Sequence, residues 1–198
     1  MGNINPVVDL RAEDGGRIAL IVMDNPPVNA LGHRLREGIM QALARARDDG
    51  AVQAVVLTGT ERAFSAGADI TEFGKPRQPP MLPEIIATLE AMPKPVIAAL
   101  GGFAFGGGLE LALGCHYRVA APSARVGLPE IKLGILPGAG GTQRAPRLAG
   151  PERALRIIVS GDPVPAAQAL EDGLLDAVLE GDFLKAALFR LIAEARRR

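Results

Sequence analysis

Cysteine is almost absent from this chain of 198 residues. Cys115 is the single thiol, which excludes an intrachain disulfide and is typical of a protein from a reducing compartment. Since it lies among apolar residues with no obvious activating base, we expect an inert, buried thiol. Histidine is nearly as rare: His33 and His116 have no partner at metal-ligand spacing, which favours packing or surface roles. The sequence thus predicts neither thiol chemistry nor a metal site.

Charge of one sign and aromatic side chains are also scarce. The 22 basic and 22 acidic residues give a net charge of zero, and aromatics make up 4%. Without a basic surplus or stacking rings, binding to nucleic acid is not expected. One helix carries four arginines, which we interpret as a solvated face that acidic neighbours dilute: Arg34, Arg36, Arg45 and Arg47.

Long apolar runs and targeting patterns are missing as well. No run approaches the roughly 20 residues that span a bilayer, and the first ten residues lack a signal-peptide pattern. Neither a Gly-x-Gly-x-x-Gly nor a Gly-Lys-Ser/Thr motif occurs, so NAD and phosphate-loop nucleotide sites are not expected. We therefore expect a single soluble, cytoplasmic domain over residues 1–198, with no membrane partner.

Strand and helix patterns alternate along the chain, which predicts an α/β fold. Leu31, Leu35, Ile39 and Leu43 recur every four residues and mark the buried face of a helix. Three runs are apolar on both faces, as parallel strands covered by helices are: 18–23, 52–58 and 96–100.

Glycine-rich segments separate these elements. We interpret residues 64–69 as a Gly/Ala turn and residues 101–108 as a glycine-dense turn that leads into a helix. The predicted core covers about residues 5–180, and a final helix covers about 182–197.

Two glutamates have unusual surroundings. Glu110 closes the run Gly106-Gly107-Gly108-Leu109-Glu110, and Glu130 lies in Leu128-Pro129-Glu130-Ile131. An ionised carboxylate among apolar neighbours costs free energy unless it is partnered, so partial burial would shift the pKa values of this pair. Such a pair is a common acid/base device in enzymes. The alternative is two surface glutamates at helix starts, where carboxylates are stabilised by the helix dipole.

Together, several motifs resemble the crotonase (enoyl-CoA hydratase/isomerase) superfamily in order and spacing. They are similar to the hydratase portion of multifunctional fatty-acid β-oxidation enzymes. The motifs are Phe64-Ser65-Ala66-Gly67-Ala68-Asp69-Ile70, Lys94-Pro95-Val96-Ile97-Ala98-Ala99, Gly106-Gly107-Gly108-Leu109-Glu110-Leu111, Pro129-Glu130 and Pro137-Gly138-Ala139-Gly140-Gly141-Thr142-Gln143.

The resemblance implies a fold and an assembly. The family fold is a ββα spiral core followed by C-terminal helices, and that helical region is missing or shortened in this chain. The expected continuation is either a trimer-type homo-oligomer or a dehydrogenase domain that follows in a longer protein.

The resemblance also implies a reaction, the hydration of trans-2-enoyl-CoA to 3-hydroxyacyl-CoA. Glu110 would be the base on water and Glu130 the proton donor at Cα. The N–H groups of Ala68 and Gly107 would form the oxyanion hole, and the N–H of Gly138 would help to orient the water. No metal or redox cofactor is expected, since coenzyme A is part of the substrate.

Substrate contacts are implied along one strip and at one basic residue. The residues that match the strip beside the thioester and pantetheine arm are Ala66, Ala68, Asp69, Ile70 and Thr71, next to Gly107 of the oxyanion hole. Arg62 matches a position that is often basic near the CoA phosphates, and a solvated surface role is an equal alternative for it.

Two other functions stay open at this point. A Δ3,Δ2-enoyl-CoA isomerase shuttles one proton and needs the Glu130-type residue alone, whereas the presence of Glu110 favours a hydratase. A domain that binds CoA thioesters without turnover is the alternative from another class.

Overall fold

Seven strands form a mixed sheet whose inner members are the apolar runs of the sequence. The computed structural model describes residues 2–60 and 62–181, so the predicted helix at about 182–197 lies outside the described residues. The three strands at one edge pair antiparallel, and the remaining neighbours pair parallel. In spatial order the strands are β1 (Gly2–Asn5), β2 (Val8–Glu13), β3 (Ile18–Met23), β4 (Ala54–Thr58), β6 (Val96–Leu100), β8 (Tyr117–Ala120) and β11 (Ala177–Val178).

A second, smaller sheet contains the segments that we interpreted as turns. Its order is β10 (Val164–Pro165), β9 (Arg125–Gly127), β7 (Phe103–Phe105) and β5 (Ala63–Ser65). The strands β5, β7 and β9 run parallel to one another. The interpretation of 64–69 and 101–108 as turns throughout was therefore wrong at their strand portions, because a strand of three residues is too short to show a period.

Helices follow the strand pairs in a repeating order. Strand pairs β4–β5, β6–β7 and β8–β9 each contribute one strand to each sheet, and a helix follows each pair. The α/β class predicted from the sequence pattern and the ββα repeat implied by the resemblance are both confirmed. The helices are α1 (His33–Asp48), α2 (Leu82–Glu90), α3 (Gly107–Leu113), α4 (Gly141–Ala149), α5 (Pro151–Ser160) and α6 (Ala166–Glu171).

The large sheet is buried on both faces. Leu57 contacts the main core with Leu35 and Ile39 of α1, whereas its neighbour Val56 packs in a second cluster on the opposite face with Ile97. Each of these side chains is fully buried, which stabilises the fold by about 1.5–3 kcal/mol per side chain. Within the described residues, no helix is long and apolar enough to cross a membrane.

The polar face of α1 holds one exception to the sequence prediction. Arg34, Arg45 and Arg47 are exposed, as expected of a solvated face. Arg36 is only 5% exposed, so its assignment to that face was wrong. Its position among the apolar residues Leu35 and Ile39 places it at the edge of the buried side of the helix.

Candidate active site

One edge of the small sheet brings together the distant motifs of the sequence. Because β5, β7 and β9 are parallel, their carboxyl ends meet at the same edge, and the segments that follow them lie side by side. A cavity of about 730 Å³ opens at this edge. Its wall includes the five residues to which the sequence assigned catalytic roles: Ala68, Gly107, Glu110, Glu130 and Gly138.

The backbone nitrogens of Ala68 and Gly107 lie close together in the wall of this cavity. Gly107 is the first residue of α3, where an N–H has no partner within the helix. A Cβ built on Gly107 would lie 3.4 Å from the nitrogen of Ala68 and 2.9 Å from Cδ2 of Leu82. Any side chain at position 107 would therefore fill the space between Leu82 and the backbone nitrogen of Ala68. The geometry fits an oxyanion hole made by Ala68 and Gly107.

Gly67 shapes the backbone that presents the Ala68 N–H. Its φ of +99° is rare for residues with a side chain. A Cβ at this position would also lie 2.8 Å from the carbonyl oxygen of Phe105 and 3.1 Å from the nitrogen of Gly107. Conformation and space both require glycine here, so the close approach of the two chain segments depends on Gly67.

Two buried polar side chains, which the sequence analysis did not single out, hold the same strip. Ser65 Oγ donates to the carbonyl of Asn29 at 2.6 Å and accepts from the N–H of Gly67 at 3.0 Å. The Asn29 amide donates to the carbonyls of Met23 and Ala63 at 3.1 and 3.0 Å. The signal that could have identified them is a polar residue inside a segment that is otherwise apolar or glycine-rich.

Glu110 is buried and well supplied with hydrogen-bond donors. Only 3% of it is exposed, and its Oε1 accepts from the N–H groups of Ala139 and Gly141 at 2.7 and 2.8 Å. Burial raises the pKa of this carboxyl, while the two backbone bonds and the charge of Arg144 oppose that rise. Gly138 lies next to Ala139 in the cavity wall, and its contact with a water molecule stays a prediction.

Glu130 is buried with far less support. It is 8% exposed, and within the described residues its Oε2 has no hydrogen-bond partner. Burial raises the pKa of Glu130 to about 7; its own backbone N–H opposes the rise, and the charge of Glu110 adds to it. A Cβ on Gly106 would lie 3.1 Å from Glu130 Oε1, so the carboxyl packs directly against the glycine turn. The expected burial of both glutamates is confirmed.

Arg144 of α4 contacts the loop that binds Glu110. Its guanidinium donates to the carbonyl of Ala139 at 3.0 Å and forms a two-pronged ion pair with Glu90, each bond 2.7 Å long. The same residue, Ala139, offers its N–H to Glu110. Arg144 thus holds the residue whose N–H donates to the carboxylate. The sequence analysis did not identify it, because the pairing joins residues that are distant along the chain.

The predicted substrate strip is only partly in the cavity wall. Asp69 lines the cavity, but its Oδ1 accepts from the N–H and hydroxyl of Thr71 at 2.9 and 2.7 Å, which caps a 3₁₀ turn. Ile70 is 65% exposed. Arg62 is exposed, and Arg62, Ala66, Ile70 and Thr71 lie outside the residues that line the cavity. Their contacts with a CoA thioester stay predictions.

Cys115 and His116 have structural surroundings, the first in the core and the second at the surface. Cys115 is 4% exposed, and burial raises its thiol pKa to about 12, so the reactive thiolate is suppressed. His116 Nδ1 accepts from the N–H of Val96 at 3.1 Å, where it secures the start of β6. The predicted inert burial of Cys115 is confirmed.

Comparison with known proteins gives a consistent result. A family model described as Enoyl-CoA hydratase/isomerase matches residues 13–197. The crystal structure of an enoyl-CoA hydratase from Bacillus anthracis superposes with a TM-score of 0.89 at 34% identity, covering 97% of this chain and 77% of that one.

Two curated relatives differ in length. The peroxisomal bifunctional enzyme of Danio rerio is 51% identical over 172 residues, which are 86% of this chain and 24% of that relative. The "Probable enoyl-CoA hydratase" of Bacillus subtilis (strain 168) is 44% identical over 165 residues, which are 80% of this chain and 64% of that relative. The chain therefore spans about a quarter of the length of the bifunctional relative.

Proposed function

Because the chain belongs to the enoyl-CoA hydratase/isomerase (crotonase) family, we propose that it adds water to trans-2-enoyl-CoA and forms 3-hydroxyacyl-CoA in fatty-acid β-oxidation. The observation that carries this proposal is the presence of two buried glutamates with unequal surroundings in one cavity, beside the neighbouring backbone nitrogens of Ala68 and Gly107. Relatives with hydratase in their names support it.

The proposed reaction assigns one task to each group. The thioester oxygen accepts from the N–H groups of Ala68 and Gly107, which stabilise the negative charge that develops on it. Glu110 removes a proton from water while the water oxygen bonds to Cβ. Glu130 gives its proton to Cα as the enolate collapses. The cycle closes when Glu110 loses its proton and Glu130 gains one.

The hydrogen bonds of the two carboxyls support this division. The two backbone N–H donors at Glu110 Oε1 favour its charged form, as a base requires. Burial is the main reason why the pKa of Glu130 is raised to about 7, and the charge of Glu110 adds to the rise. Within the described residues Oε2 has no donor that would oppose it. An acid and a base with separated pKa values follow from these surroundings.

The proposed route uses only groups of the chain. Base, acid and oxyanion donors are all side chains or backbone N–H groups, so we propose that no metal or redox cofactor takes part. Coenzyme A enters as the thioester half of the substrate. Its phosphates are the proposed partners of the exposed Arg62.

Isomerisation is the second candidate, and one observation favours it. The carboxyl of Glu130 is readily protonated, and within the described residues its Oε2 has no hydrogen-bond partner, so it could move a proton between Cγ and Cα of a Δ3-enoyl-CoA without water. This chemistry needs no second base. The two activities can therefore coexist in one cavity, and they differ in their need for Glu110.

The surrounding protein is proposed from the relatives. A match to 24% of a peroxisomal bifunctional enzyme suggests that the chain is the hydratase portion of a longer protein, followed by a dehydrogenase domain. A trimer-type homo-oligomer and a thioester-binding domain without turnover are the alternatives. We propose a cytoplasmic location. A peroxisomal location is the alternative, because the names of several relatives contain that word.

The assay follows the loss of absorbance of the conjugated thioester of crotonyl-CoA. Glu110→Gln keeps an oxygen for the two N–H donors but removes the base, so hydration should fall by about 10²–10⁴-fold. Glu37→Gln, at an exposed site on α1, is the matched control. Hydration that survives in Glu110→Gln would refute the assigned base. Retained conversion of a Δ3-enoyl-CoA by the same variant would support the isomerase activity.

A further inference from the structure

Arg36 is a buried cation that no step of the proposed reaction uses. Its side chain is 7% exposed, whereas the other arginines of α1 face the solvent. A buried guanidinium is costly unless its donors are satisfied, so its partners indicate what it holds in place.

The guanidinium of Arg36 reaches four separate points around the cavity. It forms an ion pair with Glu72 at 2.8 Å, and the Glu72 carboxylate also accepts from the N–H of His33 at 2.6 Å. Its other partners are three carbonyl oxygens, those of Leu31 at 2.6 Å, Pro80 at 2.8 Å and Gln78 at 2.9 Å.

Two of these carbonyls, those of Gln78 and Pro80, belong to a segment that has few backbone hydrogen-bond donors. We call residues 76–80 the wall segment; it contains Pro76, Pro79 and Pro80, which have no backbone N–H to donate. In the part of the chain that the structure describes, Arg36 supplies the hydrogen bonds that this segment accepts. The position of the wall segment therefore depends on one side chain of α1.

The wall segment faces the same cavity as the catalytic glutamates. Pro76, Arg77 and Gln78 line the cavity, as do Glu110 and Glu130. The two glutamates are fixed by different elements, since Glu110 is bonded to the loop at 139–141. A shift of the wall segment would change the room for the substrate beyond its reacting carbons without moving the acid or the base.

We propose that Arg36 is a positioning residue that sets the outer wall of the acyl cavity and so decides which acyl chain lengths the enzyme accepts. This inference rests on the proposed hydration of enoyl-CoA. Arginine is required because its planar fork reaches three carbonyls and a carboxylate in different directions. A lysine ammonium has three donors on a flexible stem and cannot reproduce that fork.

Limited proteolysis tests the structural half of the proposal without any substrate. Trypsin can cut the exposed bond between Arg77 and Gln78, while Lys75 is protected by the proline that follows it. Arg36→Lys in the full-length protein should speed this cut by about tenfold or more, because the substitution removes hydrogen bonds from the charged guanidinium to the wall segment. Arg45→Lys, an exposed exchange on the same helix, should leave the rate unchanged. Equal rates in both variants would overturn the proposal.

Kinetics with two chain lengths test the functional half. For Arg36→Lys we expect kcat on a four-carbon enoyl-CoA within about twofold of wild type, and KM for a ten-carbon substrate changed by about tenfold. Arg36→Met should enlarge the second effect. Equal losses on both substrates would overturn the proposal.

The proteolysis and kinetic experiments also distinguish a failure of this inference from a failure of the proposed function. If the wild type hydrates no enoyl-CoA while the Arg77 cut still responds to Arg36→Lys, the proposed function fails and the anchoring role stands.

Discussion

The N–H of Gly141 donates a 2.8 Å hydrogen bond to the carboxylate of Glu110, which precedes it by 31 residues. This bond joins α3 to the first residue of α4, where the helix dipole favours a negative charge. A Cβ on Gly141 would lie 3.0 Å from the same carboxylate oxygen, so the carboxylate rests against a residue without a side chain. Burial raises the pKa of Glu110, and the hydrogen bonds from α4 and the loop before it oppose that rise.

Removal of Arg144 should move the acidic limb of the pH profile to higher pH. Arg144 contributes a positive charge near Glu110 and holds the carbonyl of Ala139. Without that charge the pKa of Glu110 rises further, and the base becomes protonated at a higher pH than in the wild type. The measurement is kcat/KM for hydration by Arg144→Met between pH 4 and pH 8.

The control for this variant is Glu90→Gln, which removes the negative charge that pairs with Arg144 but leaves the arginine in place. We expect its acidic limb to stay close to that of the wild type. An unmoved limb in Arg144→Met would show that Arg144 has no influence on the base.

The alkaline limb of the same profile should report Glu130. Its pKa of about 7 means that the proton donor is lost as the pH rises through that value. In the proposed reaction, kcat/KM should then decline by about tenfold per pH unit above the limb. A profile that stays flat to pH 9 would contradict the role of Glu130 as the acid.

Glu130 should also make the fold less stable at high pH. Its pKa is about 7 in the folded protein against an ordinary value of 4.5, so the stability that it contributes is fully present below 4.5 and lost as the pH rises through 7. Glu130→Gln stays neutral and avoids this loss, which is on the order of 3 kcal/mol of unfolding free energy.

Urea unfolding at pH 4.5 and at pH 8 measures this difference. The free energy of unfolding of Glu130→Gln should exceed that of the wild type at pH 8 and approach it at pH 4.5. Glu37→Gln, at an exposed site, should show no such pH dependence. An equal gain at both pH values would point to packing instead of titration.

Local patterns of the sequence predicted three inner strands of the large sheet, β3, β4 and β6, and the buried face of α1. Leu35, Ile39 and Leu43 are fully buried because a repeat of four residues aligns them on one side of a helix. Val96–Leu100 matches its predicted strand to the residue, since an apolar run of five between Pro95 and Gly101 leaves little choice. These features depend on neighbours in the chain.

The small sheet and the arginine anchors could not be predicted in this way. Strand β5 forms because residues 63–65 pair with residues 103–105, and no periodicity in three residues carries that information. Arg36 looks like Arg34 and Arg45 in sequence, and only the carbonyls that α1 meets in the fold make it a buried anchor. Contacts between distant segments decide both features.

Gly107→Ala should abolish hydration while the protein remains folded. The added methyl would occupy the space 3.4 Å from the Ala68 nitrogen, where the thioester oxygen is proposed to lie. Loss of one oxyanion donor costs about 10²–10³-fold in kcat, so a blocked hole should cost at least that much. Gly50→Ala is the matched control, because a Cβ there meets nothing within 4 Å. If Gly107→Ala kept the wild-type kcat with an unchanged unfolding midpoint, the two N–H groups would not form the oxyanion hole.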